Sequence, residues 1–254
     1  MPWPSLIILI ALFLITSAVG VVTGSNSLIT VPVMFQFGID EKVAVATNMF
    51  GLTFMSIGAS IPFVWNRAFD VRRTAPLVVV TLFGSAAGAL LIGILTNQSV
   101  KLIVSTAMIA VALFTLLSGN RERGENGAIR SGRNSTLITY IFTLILAVYG
   151  GLYSGGYVTM LTAVYVAFFG MSFTESVAAT KFINVFSSLI ATLIFMWQGL
   201  VDYRLGVILA AAMFTGAYAG AHFVTKISEK WIRRIFLAAV FVLAIKLIID
   251  LAGQ

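Results

Sequence analysis

Lys181 stands inside an apolar stretch, Val177 to Trp197. A charge at such a place is costly to keep and usually functional. Asn184 and Ser188 follow three and seven residues on, so on a helix they share its face. Thr180 immediately precedes it, and the first half has a polar counterpart in Thr47-Asn48, with Gly51 on the same face. An ammonium with amide and hydroxyl donors is chemistry for holding a small anion. Other readings stay open. Lys181 could snorkel to the membrane interface, and Asn48, Thr180 and Asn184 could simply bridge helices by hydrogen bonds.

Two interruptions offer the same chemistry from the backbone. Thr23-Gly24-Ser25-Asn26-Ser27 breaks one apolar run, and Tyr153-Ser154-Gly155-Gly156 breaks another. Gly weakens a helix, and Ser or Asn caps the next one. Irregular backbone at membrane depth is tolerated only where it is buried in protein or lines a cavity. A helix starting there aims free N–H groups and its positive dipole end at that cavity. Ser25, Asn26, Gly155 and Gly156 are therefore expected to face one another and bind an anion, with Asn48, Thr180, Lys181 and Asn184 completing the site. The alternative is that these glycines only permit tight turns or close packing.

Other chemistries lack their residues. No Asp or Glu sits centrally in an apolar run, which argues against a cation pump built on a membrane carboxylate. With no Cys and one His, a soft-metal site or a thiol nucleophile has nothing to stand on. There is no H-E-x-x-H and no Walker A loop. No enzyme activity and no cofactor are expected.

The elements that must position these residues follow from composition. The chain has 254 residues, 59% hydrophobic and 10% charged. Soluble chains are nearer a quarter charged, so the fold class is an all-α polytopic membrane protein. Apolar runs cover Pro4 to Val22, Val43 to Val64, Pro76 to Leu95, Leu102 to Leu117, Leu137 to Leu152, Val177 to Trp197, Leu205 to Val224 and Ile235 to Leu251. Leu28 to Phe37 and Val158 to Phe169 are too short to span. The net charge of +7 lies in breaks between runs, which sets topology and does not read as nucleic-acid binding. The N-terminus lacks a basic region ahead of its apolar run, so it reads as a permanent first segment anchored by Trp3.

The halves look like copies. Phe63-Val64-Trp65 and Asp70 return 132 positions later as Phe195-Met196-Trp197 and Asp202, and Gly84/Gly88 return as Gly216/Gly220. Ala46-Thr47 aligns with Ala179-Thr180 at a slightly different offset. Residues 1–118 form a first transmembrane repeat, 119–134 a basic linker, and 135–254 a second repeat. The loop Asn66 to Thr74 and the linker are basic, so both are expected in the cytoplasm. In the second half the basic loop moves to Lys226 to Arg234, at the other end of the repeat. Inverted repeats predict that swap. Each is expected to be a broken-helix hairpin plus three transmembrane helices, with both termini outside an inner membrane. The G-x-x-x-G pairs read as close packing, within the chain or in a homodimer. His222 reads as a packing residue, Glu175 as a loose partner for Lys181, and Lys246 and Asp250 as a pair.

A glycine-rich break, Pro32 eight residues after Gly24, a short apolar run, a polar turn and then Ala44-x-Ala46-Thr47 opening the next span are followed in the second half by a break, short run, turn and Ala179-Thr180 in the same order, with Ala163 where a Pro would be expected. This arrangement resembles the sulfite exporter TauE/SafE family, also called the 4-toluene sulfonate uptake permease family, over nearly the whole chain. The resemblance implies a transporter of small sulfur-containing anions such as sulfite, thiosulfate, sulfoacetate or other organosulfonates, working by alternating access within the lipid bilayer. A passive anion channel and a non-transporting membrane scaffold are the alternatives.

Overall fold

Helices here begin where a short acceptor side chain can take up N–H groups that have no partner in the first turn. Asp40 accepts from Lys42 N and Val43 N at 3.1 and 3.2 Å, and Asp70 from Arg72 N and Arg73 N at 2.8 and 3.4 Å. Ser172 accepts from Glu175 N at 3.2 Å, and Asp202 from Leu205 N at 3.1 Å. The repeated Asp of the two halves thus does the same job twice.

The computed structural model describes residues 3–24, 26–117 and 133–223. Its elements are α1 (Trp3–Thr23), α2 (Ser27–Gln36), α3 (Glu41–Trp65), α4 (Val71–Ile94), α5 (Asn97–Leu117), α6 (Arg133–Leu152), α7 (Tyr157–Phe168), α8 (Phe173–Trp197) and α9 (Tyr203–Phe223). Every regular element among the described residues is a helix. α6 opens at Arg133, so the last two positions expected in the linker are helical. Ser25, most of the linker, the basic loop Lys226 to Arg234, the run Ile235 to Leu251, and the Lys246 and Asp250 pair lie outside the described residues. Among the described helices, α1, α3, α4, α6, α8 and α9 are long and apolar enough to cross a membrane. The protein is a multi-pass membrane protein. At 1.5 Å per residue, α2 reaches only about 15 Å and α7 about 18 Å, half of a bilayer's hydrocarbon thickness.

Left-handed conformations pair up 132 positions apart: Gly24 and Gly156 (φ 82° and 83°), Gly38 and Gly170 (74° and 72°), Arg67 and Gly199 (49° and 70°). The same offset joins a pair of hydrogen bonds. Thr30 Oγ1 donates to Asn48 Oδ1 at 2.7 Å, and Thr162 Oγ1 shares a 3.0 Å bond with Thr180 Oγ1. Asn48, not Thr47, is therefore the counterpart of Thr180, one residue from the alignment that sequence identity suggested.

Contacts fix the helix directions. Gly216 lies on Leu14 and Gly220 on Ala18, so α9 runs with α1. Gly206 meets Thr47 and Phe50 while Gly58 meets Phe214, which adds α3 to that set. Gly84 lies on Leu144 and Gly88 on Val148 and Leu152, so α6 runs with α4. Ser85 bonds Ser187 at 2.6 Å and Gln198 donates to Ala89 O at 3.5 Å, which adds α8. Between the sets the sense reverses: Ser56 meets Asn184, but Thr53 meets Thr192. Because α1 and α3 point the same way, the chain must come back between them, and α2 brings it back. α7 does so between α6 and α8. Both G-x-x-x-G pairs are consumed inside the chain, each against the first helix of the other half. A dimer face built on them is thereby replaced by internal packing.

The surface is more apolar than parts of the interior. Ile7, Ile15, Phe83 and Ile145 are exposed, while Ser17, Thr47, Ser85 and Ser188 are fully buried. That inversion suits a chain solvated by lipid, where polar side chains pair inside. Trp3, Trp65 and Trp197 are exposed at helix ends, as membrane-interface anchors are.

Candidate functional site

The two breaks meet. Ser27 Oγ and Ser154 Oγ are 2.8 Å apart across 127 positions of sequence. Tyr153 OH donates to Ser27 O at 3.0 Å, and Thr159 Oγ1 to Thr23 O at 2.9 Å. Close approach depends on glycine here: Gly24 lies against Thr159, and Gly156 against Val111, each at positive φ. Tyr149 OH donates to Gly155 O, pinning the second break to α6.

A small cavity opens between the breaks and the crossing of α3 and α8. The first break supplies Gly24, Asn26 and Ser27, and the second supplies Ser154 and Val158. α3 contributes Leu52, Met55, Ser56 and Ala59, and α8 contributes Lys181 and Asn184. It has room for little more than a water-sized group.

Lys181 sits eight residues into α8 and is 3% exposed. Its Nζ donates to Gly20 O at 2.7 Å. That carbonyl belongs to the last turn of α1 and also accepts from Gly24 N at 3.0 Å. The ammonium therefore rests on the negative end of a helix. It does not snorkel. No carboxylate among the described residues pairs with it; Glu175 instead faces Arg73 at 3.9 Å. The expected loose Glu175–Lys181 pair fails because Arg73, from the start of α4, reaches the same turn and also lies 4.4 Å over the Phe169 ring.

The polar residues singled out from the sequence divide. Asn26, Lys181 and Asn184 line the cavity, and Asn184 Nδ2 donates to Ser56 Oγ at 2.7 Å. Asn26 makes no side-chain cap on α2, contrary to expectation, because its amide turns away to Ser17 Oγ at 3.1 Å. Asn48 stands behind the wall, donating to Ser27 Oγ at 2.9 Å. Thr180 is committed to Thr162 and to Val177 O at 3.0 Å. Gly155 lies beneath the Tyr153 phenol and Gly156 beneath Val111, so neither faces the cavity. His222 packs on Tyr218, with ring centroids 4.7 Å apart, as a packing residue should. Three lining serines were not in the expected set. Ser27 and Ser154 stand inside the two break motifs. Ser56 carries a weaker signal, its four- and eight-residue spacing from Leu52 and Asn48.

Both breaks, both crossing helices and every cavity residue fall inside residues 8–247, the stretch that matches the sequence profile described as "Sulfite exporter TauE/SafE". The chain belongs to the TauE/SafE sulfite exporter family. Among curated relatives, a "Probable membrane transporter protein ORF9" from Sinorhizobium sp is 27% identical over 235 residues, covering 90% of this chain and 87% of the relative. A "Probable membrane transporter protein" from Haemophilus influenzae is 23% identical, covering 96% and 95%. The "Probable membrane transporter protein YfcA" of Escherichia coli K12 is 26% identical, covering 92% and 86%. No solved structure gives a significant match. The chain carries two half-length helices, α2 and α7. They bring irregular backbone to a shared interior point, which a membrane protein tolerates only around a cavity.

Proposed function

We propose that this chain is an inner-membrane secondary transporter moving small sulfur-containing anions, among sulfite, thiosulfate, sulfoacetate and other organosulfonates, by alternating access. One observation carries the reading: a buried ammonium, Lys181, borders a cavity where two broken hairpins meet, with no carboxylate partner among the described residues. Such a charge costs free energy unless a ligand uses it. Asn26, Ser27, Ser56, Ser154 and Asn184 would donate hydrogen bonds beside it. Ser25 belongs to the first break and joins the proposal on sequence grounds. Asn48, Thr180, Gly155 and Gly156 would hold the wall in place.

The halves act in this proposal as inverted repeats, and opposed directions of α1, α3 and α9 against α4, α6 and α8 support that reading. Paired broken helices near the midplane of such repeats are a recurrent transporter arrangement. The starts of α4, α6 and α8 gather on one face, where Arg73 donates to Phe169 O and Ser135 to Phe168 O. The basic loop and linker would make this face cytoplasmic. The cavity is smaller than an organosulfonate, so binding requires the bundle to open. A thermal-shift screen of purified protein with sulfite, thiosulfate, sulfoacetate, taurine and formate should show stabilisation by at least one sulfur anion. Proteoliposomes should then show saturable, trans-stimulated flux of that anion. Unitary currents would make the protein a channel, and no response to any anion would sink the site.

A further inference from the structure

The charge inside the cavity can be counted. α1 ends at Thr23 and α2 starts at Ser27, so a carbonyl end lies beside an N–H end. α6 ends at Leu152 and α7 starts at Tyr157, repeating the arrangement. Helix ends carry about half an elementary charge, negative for carbonyls and positive for N–H groups. Within each break these halves oppose one another. Asn26, Ser27, Ser56, Ser154 and Asn184 are neutral donors, and Lys181 is the one ionisable residue on the described wall. What remains on the described wall is the single positive charge of Lys181.

Duplication did not supply a second. The position 132 before Lys181 is Met49, and that before Asn184 is Leu52. Leu52, Met55, Ala59 and Val158 add apolar lining to the cavity. That lining suits a methyl or methylene group and offers no counter-charge to a second anionic end.

We propose that the site selects by charge state, taking monoanions over dianions of the same size. This rests on the cavity being the substrate site. A monoanion balances Lys181. A dianion would carry a second charge into a low-dielectric interior whose described wall holds no second cation, and hydroxyls and amides cannot neutralise it. The favoured ligands are therefore singly charged oxyanions, such as a short-chain organic monosulfonate or hydrogensulfite. Sulfite, thiosulfate and sulfoacetate in their dianionic forms are disfavoured.

Isosteric probes test this with the unaltered protein. Isethionate and sulfoacetamide carry one charge at neutral pH, whereas sulfoacetate, of nearly equal size, carries two. Affinities of purified full-length protein would be measured by calorimetry at fixed ionic strength. The monoanions should bind at least about tenfold more tightly than sulfoacetate, the consequence of one uncompensated buried charge. Equal or tighter binding of sulfoacetate overturns the charge preference and leaves the substrate site standing. No binding of any of the three at millimolar concentration, although another sulfur anion stabilises the protein, overturns the apolar-lining argument and with it this proposal. No binding by any sulfur anion removes the site reading itself.

Discussion

A buried ammonium that rests on a single carbonyl is a poor way to stabilise a helix bundle. Lys181 gives one hydrogen bond to Gly20 O, an oxygen that Gly24 N already satisfies. Replacement by an apolar side chain of similar length removes a desolvated charge, a change that is often neutral or stabilising. Lys181→Met should therefore leave the melting temperature without anion unchanged or raised, and should weaken anion binding by about tenfold or more. A lowered melting temperature with anion affinity retained would make Lys181 a structural residue. The contrast with Asn48 is instructive. Its amide oxygen accepts from Thr30 and its nitrogen donates to Ser27, so its removal takes one partner from each of two buried hydroxyls, which keep Asn26 O and Ser154 Oγ. Asn48 holds the first break in place, whereas Lys181 borders the cavity.

At the scale of elements, the bundle is set by where backbones touch. Gly88 lies on the backbone of Val148 and Leu152, and a Cβ there would meet Leu152 N at 2.8 Å. Gly206 faces only the side chains of Phe50 and Thr47, at 3.2 and 3.5 Å. Flexible side chains can give way where a facing helix backbone cannot. Gly88→Ala should thus cost about 1–3 kcal/mol of stability through the α4–α6 contact. Gly206→Ala should be near neutral, since Ala gains about 1 kcal/mol in helix propensity. Equal losses in an unfolding titration would remove backbone contact as the explanation. The same logic bears on the hairpins. α2 and α7 end at Gly38 and Gly170 in left-handed conformations, which let each short helix stop and the chain enter the next span.

For the whole molecule, the opposed directions of equivalent helices make a topology prediction. The chain has no Cys, so single cysteines can be read without background. A cysteine at Ala68, beside the start of α4, and one at Asn134, at the start of α6, should label from the cytoplasmic side only. One at Gln98, at the start of α5, and one at Gly199, before α9, should label from outside only. Labelling of Ala68 and Gly199 from the same side would contradict inversion, because these connections follow equivalent helices α3 and α8. The proposed alternating access would require that ties at the two faces exchange. The Arg73–Phe169–Glu175 contacts lie at one face, and Asn97 donating to Asp40 with Asp202 N donating to Thr47 Oγ1 at 3.0 Å lies at the other.

Membrane class, the two breaks and the duplication are properties of the chain in one dimension. Apolar length, glycine interruption and repeated spacing need no partner to be visible, which is why α2 and α7 were expected within a residue or two of where they lie. Lys181 stood out for the same reason, as a charge in an apolar run. Its partner did not, because Gly20 O is 161 positions away and acquires meaning only when α1 ends beside α8. Likewise the choice of Ser56 over Asn48 for the cavity wall, and the pairing of Asn48 with Thr180, depend on how α3 crosses α8 and where α2 returns. A polar residue on an apolar helix announces that something must meet it. Only the tertiary structure decides whether that something is a neighbouring helix or an open space.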